Sequence, residues 1–345
     1  MVSPSACVAM LRAVGTCTQI TCVSGIRRSG GLAYMRRLLF GAVGLALTVA
    51  APQAANAKLK VFACFPEWEA LTKEIGGSSV EVFTAVSPLV NPDHVTVTPE
   101  LLAFLKTADL LVCTGGGFED EWLPAALARV QNPKLAEGQN GRFFAGDFVE
   151  TLEDDHHDEG EKKEEGHLHE GGNPHIQGDP YRIRTLGGQL GKRMIDIDQA
   201  DAAVYSANTK KFVKELGELT KELEKKAAAL QGVNIVAQHE HSVYLLAWLK
   251  IHSAGIVEPE VGIPPGPGDL ARIIEQVPRD NVKFVIHAAY EDPRPSKYVT
   301  DRAGIPLVKV PFTVGGTEAG GPTFAAFYRD SVDRLLDGLA GKDRP

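Results

Sequence analysis

Residues 198–230 read DQADAAVYSANTKKFVKELGELTKELEKKAAAL, which sets Val204, Phe212, Leu216, Leu219, Leu223 and Leu230 at mostly three- and four-residue spacing among Lys and Glu. That spacing predicts one helix of about 30 residues with a single apolar stripe. Asp198 can cap its start, and Gly232 stands just past its end. A coiled-coil arm is the competing reading, but only about four heptads are available and no flanking charge pattern persists. A spine between two lobes fits better.

The sequence on either side of the spine supports this. Before it, strands are expected at 59–64, 80–86 and 110–113, with helices at 68–75, 99–107 and from about Pro180, and a last short strand around Phe143, Phe144, Ala145 and Phe148. After it, strands are expected at 234–238, 282–286 and 307–310, with helices at 243–250, 267–276 and 323–339. Strands alternating with helices imply parallel α/β topology. The fold class is therefore α/β: two lobes with parallel β-sheets flanked by helices, joined by one long α-helix. The N-terminal lobe is 58–197, the linking helix 198–231 and the C-terminal lobe 232–345.

Residues 35–57 have the form of a secretory signal peptide. Met35-Arg36-Arg37 precedes an apolar run over 38–49, and Ala55-Asn56-Ala57 supplies a small-x-small exit, so cleavage is expected after Ala57. The apolar run is too short to span a bilayer permanently. Residues 1–34 resemble no structural unit, which points to Met35 as the true start. Lys58, not Cys, follows the expected cleavage site, which argues for a protein free in a periplasm-like space. Residues 1–57 hold five of the 36 Lys+Arg and none of the 44 Asp+Glu, so the remainder carries a net charge of −13. Nucleic acid is an improbable partner for such a surface. Two Cys remain after cleavage, Cys64 and Cys113, each near a strand end. They can pair if their strands are neighbours or stand as inert buried thiols.

Within the first lobe, residues 154–175 read DDHHDEGEKKEEGHLHEGGNPH and hold five of the ten histidines among acids and glycines. Almost free of apolar side chains, 154–172 is expected as a disordered loop, with His156, His157, His167 and His169 as weak accessory metal ligands. The bland alternative is a solvated acidic loop. Of the other histidines, His94 follows the second strand through a turn, while His239 and His287 directly follow strands of the second lobe. His175 closes the His-rich segment. Ligands collect at the carboxyl edges of parallel sheets, so histidines distant in sequence could converge there on one zinc ion. A lone histidine at such a place is more often structural; their recurrence shifts the balance. In His239-Glu240-His241 the two-residue spacing puts both rings on one face of a strand but on different faces of a helix, so one of the pair is expected to bind. His252 reads as packing or surface.

With Asn91-Pro92-Asp93-His94, Ala108-Asp109-Leu110-Leu111-Val112, the run from Gly115 to Glu119, Trp122-Leu123, Asn173-Pro174-His175, Asp179-Pro180, and His239 with Tyr244, the chain resembles the metal-specific solute-binding proteins of ABC importers, the zinc/manganese cluster of the TroA-like superfamily. The resemblance covers essentially all of 58–339. It implies that His94, His175 and His239 match three histidine ligands of the family. A carboxylate commonly supplies the fourth from a segment like Pro311-Phe312-Thr313, but here Val314-Gly315-Gly316 follows and no Asp occupies the place. His287, which aligns with a Glu of manganese-type members, is the first choice, Glu318 the second and water the third. Pro99 also lies one residue closer to His94 than the family pattern has it.

The resemblance further implies a monomer that performs no chemistry. It would take Zn2+ as transported ligand in the periplasm, dock peripherally at the inner membrane, and deliver the ion to an ABC permease and its ATPase partner. An imidazole-rich set favours zinc over manganese, the weak end of the divalent affinity order. The alternatives are a manganese/iron-binding importer component, a periplasmic zinc hydrolase using Glu240 or Asp93 as base, and a zinc-buffering protein.

Overall fold

The computed structural model describes residues 57–92, 94–152, 172–258 and 263–344. The expected extension 1–34, the signal peptide apart from Ala57, and the His-rich loop with His156, His157, His167 and His169 lie outside the described residues, as does Asp93.

Apolar runs bounded by turns become the central strands, buried on both faces, and the edge strands are partly exposed. In the first lobe these are β1 (Leu59–Ala63), β2 (Val80–Thr84), β3 (Leu110–Cys113) and β4 (Arg142–Phe144), all parallel and in the order β2-β1-β3-β4. In the second they are β5 (Asn234–Ala237), β6 (His252–Ile256), β7 (Val285–Ala288) and β8 (Leu307–Val310), in the order β6-β5-β7-β8 and again parallel. All-parallel sheets need helices on both faces, which accounts for the near-continuous apolar strands.

Proline and side-chain caps set the helix starts. Helix α1 (Pro66–Gly76) opens on Pro66, α2 (Pro99–Thr107) is capped by the Thr98 hydroxyl on Leu101 N–H, and α3 (Leu123–Val130) has Pro124 in its first turn. Helix α4 (Pro180–Ile197) is capped by Asp179, which accepts from Tyr181 and Arg182 N–H. The C-terminal lobe adds α6 (Val243–Leu249), α7 (Pro267–Arg279), α8 (Arg294–Ala303) and α9 (Phe324–Leu339).

The spine is α5 (Ala202–Lys226), extended by single 3-10 turns over Gln199–Asp201 and Ala227–Leu230; Asp198 caps the first of these on Ala200 N–H. Helices α4 and α5 run antiparallel in close contact, since a Cβ on Gly187 would meet Phe212 and one on Gly191 would meet Thr209. Near its start α5 touches the first lobe, where Asn208 Nδ2 donates to Ile75 O. Near its end it touches α9 through the Glu222–Arg329 and Lys226–Asp333 ion pairs. One apolar core spans both lobes through this helix.

Some expected boundaries shift. Helix α7 runs on through Pro278 to Arg279, and the next strand starts only at Val285, because Val282 N–H is still bonded to Val277 O at the helix exit. His287 therefore lies inside β7 instead of after it. His252, expected as packing or surface, is exposed at the start of the edge strand β6; the sequence reading contains neither that strand nor α8. Ala145–Phe148 is a 3-10 turn, not strand.

Candidate metal centre

The carboxyl ends of β1, β3, β5 and β7 carry the candidate site. Asn173-Pro174-His175 enters it just before α4. The Asn173 side-chain oxygen accepts from His175 N–H at 3.0 Å and faces His175 Nδ1 at 2.9 Å. Since that oxygen only accepts, the ring proton sits on Nδ1 and Nε2 keeps its lone pair. Across the lobe boundary, Tyr244 of α6 donates to Asn173 O at 2.7 Å and accepts from Leu152 N–H at 2.8 Å. Asn173 N–H in turn bonds Leu152 O at 2.9 Å. The two ends of the His-rich segment are thus pinned side by side, two residues from His175.

His239 is extended and lies two residues past the end of β5; Glu240–Ser242 is one 3-10 turn. The change of backbone at this point turns both imidazoles the same way, and the His239 and His241 rings stack at 4.0 Å. His241 also lies 4.6 Å from the His175 ring, centre to centre, and its side chain is only 7% exposed. The two-residue spacing gave no reason to choose His241, because the segment is neither strand nor helix.

Hydrogen-bond direction separates the pair. His239 Nδ1 accepts from Glu240 N–H at 2.8 Å, which places its proton on Nε2. His241 Nδ1 faces a carboxylate oxygen of Glu291 at 3.2 Å and the Tyr290 hydroxyl at 2.6 Å; when Nδ1 donates to the carboxylate, Nε2 keeps the electron pair, with the same hydroxyl 3.2 Å from it. A carboxylate behind an imidazole in this way orients a metal ligand. His287, buried in β7, has Nδ1 on Ala288 O at 3.0 Å and so also keeps its lone pair on Nε2.

Tyr290 and Glu291 did not figure in the sequence reading. Glu291 follows His287 by four residues at the strand exit and accepts from Ala288 N–H at 2.6 Å. Burial pushes its carboxyl up to about 7, against the pull of the Ala288 N–H and the charges of His239 and His287. Burial, with the nearby His239, holds His241 well below its ordinary value, and burial lowers His287 as well. Phe118 and Phe312 close the site from opposite lobes, with their rings 5.3 and 5.4 Å from His175.

The structure thus brings His175, His239, His241 and Glu291 together, with His287 within electrostatic reach of Glu291. It does not gather all the expected residues. His94 lies exposed on the loop between β2 and α2, its N–H bonded to Asn91 O, and no ring contact among the described residues links it to the others. Glu318, the second choice for fourth ligand, is exposed after β8, where its carbonyl accepts from Gly321 N–H; a carboxylate turned to solvent there is no part of the buried cluster. The imidazoles stand side by side with donor atoms apart: among the described residues, the one triple of candidate ligand atoms mutually within 4.8 Å is Cys64, Cys113 and Glu119.

Comparison with known proteins gives the family and the fold. The sequence model of a family described as "ZnuA: Zinc-uptake complex component A periplasmic" matches residues 61–338. Similar proteins include the metal ABC transporter substrate-binding lipoprotein SsaB of Streptococcus sanguinis, 24% identical over 289 residues, 83% of this chain and 90% of that protein. They also include the manganese ABC transporter substrate-binding lipoprotein scaA of Streptococcus gordonii, 23% identical over 314 residues, 89% and 98% of the two chains. A crystal structure of ZnuA aligns over 82% of this chain and 99% of its own with a TM-score of 0.69 at 20% identity, which shows the shared fold.

Proposed function

Since the chain belongs to the zinc-uptake complex component A periplasmic family, we propose that it captures Zn2+ in the periplasm and delivers it to an ABC-type permease, driven by its ATPase partner, for zinc uptake. Binding a metal substrate for an ABC transporter, not catalysis, is the family's role. The observation that carries the zinc reading is the meeting of His175, from before α4, with His241, from after β5: two buried imidazoles of different lobes with ring centres 4.6 Å apart. An ion bound between them ties the lobes together.

The proposed ligands are His94, His175, His287 and one ring of the His239–His241 pair. Nitrogen donors in that number suit tetrahedral zinc. Hydrogen-bond direction favours His241 over His239 within the pair, with Glu291 orienting it. His94 must be carried inward by its loop, a local ordering that the rigid α5 leaves as the larger motion. His156, His157, His167 and His169 supply weak, transient capture next to the pinned ends of their segment. The Glu291 carboxylate is the feature that favours a manganese or iron cargo instead, since oxygen donors suit those ions.

Titration of the protein with zinc, manganese and copper tests this. Zinc should bind tightly with a stoichiometry near one and ahead of manganese. His175→Ala and His241→Ala should weaken that step at least about tenfold, and His239→Ala less. Deleting 154–170 should remove the weaker sites and spare the tight one. Manganese binding ahead of zinc would give the cargo to the second reading; a tight site untouched by His175→Ala and His241→Ala would overturn the assignment.

A further inference from the structure

Cys64 follows β1 and Cys113 is the last residue of the neighbouring β3, both at the carboxyl edge of the sheet, and they are joined in a disulfide. Neither is exposed to solvent. Within 4.8 Å of both sulfurs lies a carboxylate oxygen of Glu119, itself only 2% exposed. Thr114 and Gly115 N–H hold that carboxylate at 2.7 and 2.9 Å, so its position is fixed by the loop leaving β3. Glu67, also buried, is near enough for its charge to act on Glu119. A second feature points to a ligand. Glu119 lines a cavity of about 680 Å³ whose wall is mixed, polar at Gly115, Asp120 and Asp147 and apolar at Leu123, Leu127 and Phe144, and this opens a path from solvent to an otherwise sealed group.

We propose that, once the disulfide is reduced, Cys64, Cys113 and Glu119 form a second metal site that takes one borderline divalent cation such as zinc, separate from the histidine centre. Reduction is a two-electron step: a dithiol or phosphine reductant gives up an electron pair, the S–S bond breaks, and each sulfur gains a proton. The cation then displaces the two thiol protons and the proton of the Glu119 carboxyl, and binds two thiolates and one carboxylate, a donor set that suits zinc, with Glu67 or water as the fourth. Burial pushes the Glu119 carboxyl up to about 8 and Glu67 up to about 7, so in the closed site both acids hold a proton near neutral pH. Opening the bridge adds two ionisable thiols to the same pit, and a divalent cation compensates the set. The intact bridge keeps the site closed, so its capacity is set by the redox state of the compartment.

Cobalt(II) is the probe, because sulfur ligation gives a strong near-ultraviolet charge-transfer absorption that nitrogen and oxygen ligands do not. The full chain is compared oxidised and after phosphine reduction, with two free thiols per chain checked by thiol titration and folding by circular dichroism. The reduced protein should show the band, saturating at one equivalent, and the oxidised protein and Cys113→Ser should not. Glu119→Gln should weaken the step at least about tenfold while keeping both thiols. A reduced, folded chain without the band overturns the site, and so does a chain that unfolds when the bridge opens. A band unchanged in Glu119→Gln removes the carboxylate from it. Should either variant fail to fold, the oxidised and reduced wild-type pair decides alone. The band reports sulfur only, so its loss leaves the histidine centre untouched.

Discussion

Two imidazoles two residues apart, His239 and His241, differ in which ring nitrogen can serve a metal, and the difference is set by hydrogen bonds, to Glu240 N–H for His239 and to Glu291 and Tyr290 for His241. Burial matters as much. His241 is held well below the ordinary histidine value by desolvation and then by His239, and His287 is lowered by desolvation. Both rings should therefore stay neutral on acidification past about pH 6.5, where an unperturbed imidazole takes up its proton. Histidine ring NMR signals of the metal-free protein, followed against pH, should show two midpoints below that value. If every ring titrates at or above it, the cluster is open to water and the tautomer argument falls. His175 and His287 were legible in the sequence because a strand end or an Asn-Pro-His turn marks them. His241 and Glu291 were not, since their place depends on a 3-10 turn and on burial, and neither leaves a periodic trace.

Elements with a one-sided apolar stripe or a continuous apolar run were the legible ones: α2, β3 and β8 keep the expected bounds, and the spine differs only by its 3-10 ends. Strand β6, HSAGI, is a half-exposed edge with one Ile, and α8, RPSKYVTDRA, is mostly polar; hydrophobic patterning is weak in both, and tertiary pairing makes them. The antiparallel contact of α4 with α5 was also invisible, because it depends on glycine. A Cβ at Gly187 would stand 2.5 Å from the Phe212 ring, with Leu71 behind at 3.6 Å, and a packed ring cannot step aside as a chain end can. Gly187→Ala should therefore cost about 1–3 kcal/mol in spite of the better helix propensity of Ala. Urea unfolding measures this. Gly188 has open space around its Cβ, so Gly188→Ala should be neutral or stabilising. Equal midpoints for the two variants would mean that the helices are not held at this distance.

At the scale of the whole molecule the lobes meet through acids of α1. Glu67 accepts from Thr313 of the C-terminal lobe at 2.6 Å, and Glu74 accepts from Phe324 N–H at the start of α9 at 3.0 Å. Glu67 is fully enclosed, and burial pushes its carboxyl from 4.5 up to about 7, against the Thr313 hydrogen bond. The sign of its effect on stability follows from proton counting. Between about pH 4.5 and 7 the folded chain keeps a proton on Glu67 that the unfolded chain has released, so this residue's contribution falls as pH rises and then levels off. A tenfold change in proton affinity corresponds to about 1.4 kcal/mol, which puts the full effect on the order of 3 kcal/mol. His241 and His287 act the other way below about pH 6.5, because only the unfolded chain protonates them readily. A comparison with Glu67→Gln cancels them. The amide oxygen still accepts from Thr313, but no charge can form. The melting temperature of Glu67→Gln relative to wild type, both metal-free, should climb as pH is raised from about 5 to about 7 and stay level above that. A difference that is flat across this range, or that shrinks, would mean that Glu67 ionises in the folded protein as it does in water and that the lobe boundary there is wet.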